Sequence, residues 1–403
     1  MEKLRKAIWQ RKGISLARIV DWVFVYLLHL MYLKIFVPLL GVVVMIGAGC
    51  TSVGPETVRS SRPAYNMAVQ NTNDQELLLN LVRSRYRDTL YFTSVERIAA
   101  TQELLRGVTA GGGLTETRNH FGAPATGIAR SVATPLTLGG SFSVNEKPTI
   151  FYAPVEGEKF VRQMMTPMNP DLLLLLVKSG WSLDRVFSVG IAEINGLKNA
   201  PTASGPTPSR EPEFRGFLEA VGLLRALQRE QLLDVAKSGE GEGIELRFSE
   251  RAKDRSEIKR LMELLRLNPN KTRFRLVVGS ESSTGDTLTI STRPLISALN
   301  YLSQGVEVPE RDYTNGKIRR TLRADGTPFD WQEMLGDVFR VQVSAKEPNP
   351  EDVSTMIHYR GAWFYIADND LDTKSTFVLL TQLMSLHSAP ASAGPALSFS
   401  FGK

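Results

Sequence analysis

Apolar and polar residues follow one another along this chain in three rhythms, and each predicts a different kind of element. The first is an unbroken apolar run from Ile35 to Ile46. The second begins at Asn73, where Glu76 three positions later completes a capping pair. Leu77, Leu78, Leu81, Val82 and Arg85 then set an apolar helix face beside a basic one carrying Arg83, Arg85 and Arg87. Those arginines read as a solvated face, or as ligands for lipid phosphates or a partner's carboxylates. The third rhythm has a period of two. Between residues 90 and 152, Leu136 and Leu138 alternate with Thr, Phe142 and Val144 alternate with Ser, and Val108, Ala110 and Leu114 lie in a glycine-rich run. These stretches predict a long hairpin around a turn-rich loop at 117–134. It suits a sheet edge, or a strand pair lent to an oligomeric membrane barrel.

Further along, residues 157–166 predict a short helix, and Asn169 followed by Pro170 caps another whose leucine run, 172–177, implies burial on all sides. Val186 to Ile194 reads as a strand ending at the turn dipeptide Asn195-Gly196. Residues 197–212 hold Pro201, Pro206, Pro208 and Pro212 among small polar residues, which marks a linker or long surface loop. Helices are expected at 214–236, 254–267, 294–303 and 376–386. Strands are expected at 244–248, 273–278, 287–291 and 339–345, as a hairpin about Gly361-Ala362, and at the alternating tail 397–401. The order predicts an α+β fold, with helices packed on mostly antiparallel sheets and two regions, 74–196 and 213–403, joined by the Pro-rich loop.

The apolar run passes through Gly47, Ala48 and Gly49 to Cys50, the single cysteine of the chain. This stretch resembles the lipobox of bacterial lipoprotein precursors, in which small residues admit a peptidase before a cysteine that carries diacylglycerol and palmitate. The resemblance implies a signal peptide over 1–49, a lipidation site at Cys50 and a lipidated tether over 50–73. Read from Met31, with Lys34 as basic flank, the signal is compact, so Met31 is a possible true start. Thr51, where an aspartate would signal retention, implies the periplasmic face of the outer membrane. The alternative is an uncleaved transmembrane helix over 19–48 in the inner membrane, oriented by Lys3, Arg5, Lys6, Arg11, Lys12 and Arg18. Asp21, His29, Lys34 and Pro38 weigh against it. The stretches LLLNLVRSRYRDTLYF, GEKF, SGWSLDRVF, INGLKNA, YLSQGVEVP and KSTF resemble uncharacterised proteobacterial lipoproteins, and that likeness implies no particular activity.

Charge narrows the partners. The formal charge is +6, but seven of the 48 basic and two of the 42 acidic residues precede Cys50, which leaves 41 against 40. A near-neutral mature chain argues against nucleic acid as a partner. With Cys50 acylated no thiol remains for a disulfide, so packing must hold the body together.

Candidate chemistry is sparse. His120, His358 and His387 are scattered, without the spacing of a zinc site. Ser256 and Lys259 match a nucleophile motif without its companions, and Lys374-Ser375-Thr376 lacks a phosphate-binding glycine loop. Asp368, Asp370 and Asp372 have the spacing of a calcium loop, but Thr373 and Leu379 replace its glycine and glutamate; a capped helix start explains them equally well. Tyr359, Trp363, Phe364 and Tyr365 form either a ligand platform or half of a hairpin core. No catalytic residue or cofactor is indicated. The expected protein is a lipid-anchored envelope component that binds or assembles with a protein partner. The alternatives are an oligomeric outer-membrane pore using the 105–150 hairpin, and an envelope hydrolase without a recognisable motif.

Overall fold

The structure is a computed structural model, and it describes residues 24–27, 29–32, 34, 53–112, 136–237, 243–279, 285–387 and 398–401. Most of the signal region, Cys50, Leu114, His120 and the 117–134 loop lie outside the described residues. Among the described residues, no helix is long and apolar enough to cross a membrane. The chain divides into two compact units, Met1–Gln70 and Asn71–Lys403. Helix α1, Val53–Tyr86, has residues in both. Residues 53–73, expected as a tether, are thus helical, with Pro63 inside the helix.

The second unit is α+β. A hairpin comes first, of β1 (Thr93–Gly112) and β2 (Leu136–Pro154). Three short helices follow: α2 (Glu158–Met165), α3 (Pro170–Lys178) and α4 (Leu183–Gly190). The chain then makes β3 (Ile191–Ile194), β4 (Leu197–Lys198), α5 (Arg215–Arg229), β5 (Leu233–Lys237) and β6 (Ile244–Phe248). Next are α6 (Ser256–Leu265), β7 (Arg273–Val278), β8 (Thr287–Thr292) and α7 (Leu295–Ser303). The last part holds α8 (Glu310–Thr314), α9 (Gln332–Leu335), β9 (Gln342–Ser344), β10 (Val353–Tyr359), β11 (Ala362–Ala367), α10 (Leu371–His387) and β12 (Ser398–Phe401).

Six strands form the main sheet in the order β4-β3-β8-β7-β6-β5, antiparallel except for β7 beside β8. Alternation decides which face is covered. Ile244, Leu246 and Phe248 of β6, Phe274 of β7, and Leu288 and Ile290 of β8 are buried, while Arg273 and Arg275 point the other way into solvent. Helices α3, α4 and α5 pack along this sheet, and α6 packs on α5. A second sheet, β10-β11-β9, buries Phe364 and Ile366. Strand β3 precedes the Pro-rich segment and pairs with β8, which follows it, so residues 197–212 run within one unit. The segment contains β4 and a short 3-10 turn, Pro201–Ser204.

Several local expectations hold. Asn169 accepts a hydrogen bond from the Asp171 amide at 2.9 Å and starts α3. Asn195 and Gly196, with φ of 44° and 81°, make the tight turn from β3 to β4. The β10–β11 hairpin also forms, with its turn at Arg360 and Gly361, φ 50° and 74°, one residue before the expected Gly361-Ala362.

Others are corrected. Val186 to Gly190 is helical, because Leu183, Val186, Phe187 and Val189 all find burial in a helix, and Gly190 lies so close to Leu173 that a Cβ would sit 2.7 Å from its Cδ2. The 214–236 helix stops at Arg229. Gln231 then turns at φ 56°, and Leu233 and Val235 alternate into β5. The leucine run is not enclosed on all sides: Leu175 is 57% exposed. Helix α10 starts at Leu371, five residues early, and β9 covers only Gln342–Ser344 of the strand expected at 339–345.

Candidate functional site

The β1–β2 hairpin is far longer than an ordinary strand pair, and α1 fixes its base. Asn80 is fully buried on α1 and treats Tyr91 as a sheet neighbour. Its Nδ2 donates to the Tyr91 carbonyl at 2.8 Å, and its Oδ1 accepts from the Tyr91 amide at 3.0 Å. One helical turn earlier, Glu76 accepts from the Thr93 amide at 2.7 Å and from the Thr93 hydroxyl. Phe92 meets Phe160 edge to face at 5.8 Å. Ile150, Phe151 and Tyr152 stay 42%, 42% and 59% exposed near the base, with the Arg97 guanidinium 4.8 Å above the Phe151 ring.

Register sorts the rest of the hairpin. Pairing is continuous from Thr93–Pro154 to Gly112–Leu136, apart from one irregularity at Val95/Arg97. Residues paired across an antiparallel ladder share a face. Nine rungs run from Leu104–Val144 to Gly112–Leu136. One face of them takes Leu104, Arg106, Val108, Ala110 and Gly112 with Val144, Phe142, Gly140, Leu138 and Leu136; the other takes Leu105, Gly107, Thr109 and Gly111 with Ser143, Ser141, Gly139 and Thr137. The apolar face has Arg106 as its one charged member, and the opposite face is small and polar apart from Leu105. Below them, Thr101, Gln102 and Glu103 pair with Lys147, Glu146 and Asn145 as a polar collar. Among the described residues, strand β12 pairs with β1 in parallel over Ala99–Gln102, which ends two positions before the first of the nine rungs. Among the described residues, neither outer edge of those rungs is paired.

At the end of α1 the solvated arginine face is overturned at Arg85, while Arg83 stays partly exposed and Arg87 exposed. Arg85 is 3% exposed. Its Nη1 donates to Thr207 Oγ1 at 2.9 Å and to Gln304 Oε1 at 2.6 Å, and its Nη2 donates to the Tyr313 hydroxyl at 3.1 Å. Nε has no hydrogen-bond partner, and among the described residues no carboxylate forms an ion pair with this charge. Burial pushes this guanidinium below its ordinary pKa, partly offset by Tyr313. Arg87 donates to the Thr207 carbonyl at 3.1 Å, so two arginines grip the Pro-rich segment by one residue. Arg83 stays partly exposed beside Asn80. Arg85 was legible as a buried position, because it continues the stripe of Leu78 and Leu81; its partners were not.

Next to it, the Tyr86 hydroxyl donates to Asp312 Oδ2 at 2.7 Å, and Lys317 donates to Asp312 Oδ1 at 2.9 Å. A second carboxylate-free guanidinium, Arg293, is 1% exposed. It donates to the carbonyls of Ser188 and Asn199 and to Ser204 Oγ, and lies 3.9 Å from the Tyr301 ring centre. Burial brings its pKa down to about 10. It joins the end of α4 to the Pro-rich segment.

The calcium-like aspartates do not converge. Asp368 pairs with Lys374 at 2.6 Å, Asp372 pairs with Arg185 at 2.6 Å, and Asp370 caps α10 through the Thr373 amide at 3.0 Å and hydroxyl at 2.7 Å. Among the described residues, no three potential ligands gather around a metal position. Ser256 donates to Glu257 in the first turn of α6, and Lys374-Ser375-Thr376 lies within α10. His358 sits beside Trp363 with ring centres 5.1 Å apart, and Phe364 of the aromatic cluster is core.

Two open troughs flank residues 209–213. One, of about 650 Å³, is bordered by Arg87, Lys198, Thr207, Arg210 and Arg319; the other, of about 900 Å³, by Arg210, Arg215, Phe217 and Arg323. No protein-family model, curated protein or solved structure matches the chain.

Proposed function

We propose that this chain is a lipid-anchored envelope protein that acts by assembly, with hairpins of several copies joined edge to edge into one β-barrel in the outer membrane and the body on the periplasmic side. The observation carrying this reading is the nine-rung segment, with its apolar and small-polar faces and two edges unpaired among the described residues. Nine residues at about 3.3 Å each extend about 30 Å. At the usual barrel tilt of about 40° they reach about 23 Å, close to the apolar band of about 25 Å in outer-membrane barrels. A lone hairpin would leave backbone groups unsatisfied in lipid, whereas hairpins closing on one another leave no edge. Acylation at Cys50 would hold each copy at that surface.

The test uses the full chain extracted from membranes in mild detergent, sized by mass photometry and run on gels with and without boiling. The reading expects a ring that migrates differently after heating, and an acyl mass lost in Cys50→Ser. Leu138→Arg, on the apolar face, opposes insertion by about 2–4 kcal/mol and should abolish the ring, while Thr137→Arg, on the other face, should keep it. A wild-type monomer, or identical behaviour of the two arginine variants, rules the barrel out.

A further inference from the structure

The geometry points to a phosphate-binding site in the 650 Å³ trough, built from Arg87, Arg210 and Arg319 over the buried Arg85. Charge accounting comes first. Of the basic groups lining this trough, Lys198 pairs with Glu213 at 3.2 Å. The other acidic lining group, Glu211, pairs with Arg215 at 2.8 Å from the neighbouring trough. Arg87 donates to a backbone carbonyl, Arg210 and Arg319 are exposed, and among the described residues none of the three forms an ion pair. Three guanidinium groups therefore border one cavity whose two lining carboxylates, Glu211 and Glu213, are paired with other cations.

The second observation lies beneath the rim. Thr207 is 4% exposed, lines the trough and is held by Arg85, whose charge is 3% exposed, meets only neutral acceptors and keeps one unpartnered N–H. A buried cation without a counterion adds positive potential to the nearest cavity. Burial, and to a lesser degree the like charge of Arg87, holds the Arg85 guanidinium below its ordinary pKa.

An anion would relieve that crowding. Guanidinium groups match the oxygens of phosphate in paired hydrogen bonds, and a doubly charged phosphate neutralises this excess better than a single carboxylate. The trough is also larger than a phosphate ion needs, and the rings of Pro201, Pro206 and Pro208 line the remainder. The ligand is therefore a phosphate ester or diphosphate, drawn from a lipid headgroup or from a free phosphorylated solute. The site belongs to the body, so it stands or falls apart from the assembly of the hairpins.

Isothermal titration of the full chain in a non-ionic detergent tests it, with glycerol 3-phosphate as the headgroup probe and inorganic pyrophosphate as the free-phosphate probe. Arg210→Ala combined with Arg319→Ala removes two exposed side chains and should leave the melting curve unchanged. We expect saturable binding that weakens steeply with salt and falls at least tenfold in the double variant. The tighter of the two probes identifies the source. No heat from either probe at millimolar concentration, or equal affinity in the double variant, overturns the site.

Discussion

Replacing Asn80 by Ala should loosen the hairpin from the body before it affects anything else. The wild-type amide side chain is fully buried and makes two hydrogen bonds to one backbone unit, at 2.8 and 3.0 Å. Alanine removes both and supplies no substitute, so the Tyr91 N–H and C=O lose their partners. Each net bond contributes about 1 kcal/mol, and leaving a partly buried partner unsatisfied adds to that, for a total of about 2–3 kcal/mol. Each 1.4 kcal/mol is a factor of ten, so local opening should become about 30- to 100-fold more frequent. Hydrogen exchange read residue by residue is the assay. The Tyr91 and Thr93 amides should lose protection by about that factor, while the Leu276 and Leu288 amides of the main sheet keep theirs. A change under threefold at Tyr91 and Thr93, or an equal loss throughout the sheet, would refute the idea that Asn80 clamps the hairpin.

Acid should act through Asp312. Burial alone would raise its pKa, but the Tyr86 hydroxyl and the Lys317 ammonium outweigh burial and hold it below the ordinary carboxylate value. A depressed folded pKa means that its contribution is present above the unfolded value near about 3.9 and is lost as pH falls through the folded value. Urea midpoints measured downward from pH 5 should therefore drop more steeply in the wild type than in Asp312→Asn, and parallel acid limbs would count against this. Two glycines should respond oppositely. Gly305→Ala places a Cβ 2.5 Å from the Phe339 carbonyl oxygen and should lower stability by about 1–3 kcal/mol, whereas Gly222→Ala, exposed in α5 with nothing within 4 Å, should raise it by up to about 1 kcal/mol. Thermal melts that move both the same way would contradict the packing described.

What the sequence disclosed and what it withheld follow from the range of each interaction. Turns and caps are local, so Asn169-Pro170, Asn195-Gly196 and the alternation of β6 and β8 were readable directly. Val186 to Gly190 misled because a valine-rich run fits a strand or a buried helix, and only its packing against neighbouring helices decides. The Pro-rich segment has the composition of a linker. What places it inside one unit is a grip by Arg85, Arg87 and Arg293 from positions far away in the chain. The same applies to the late pairing of β12 with β1. Of the hairpin, the alternating polarity was legible; the rung-by-rung register that sorts its faces was not.

The pairing of β12 with β1 also sets an order of events. Ala99–Gln102 are synthesised near the start of the chain, and Ser398–Phe401 near its last described residues. A parallel contact between such distant segments closes a very long loop and forms late. Until residue 398 has left the ribosome, the edge of β1 is open along its whole length, including four positions that the finished fold covers. Nascent chains that stall before that point would lack the β12 cover over Ala99–Gln102 and would be more exposed to mispairing with one another than the finished chain.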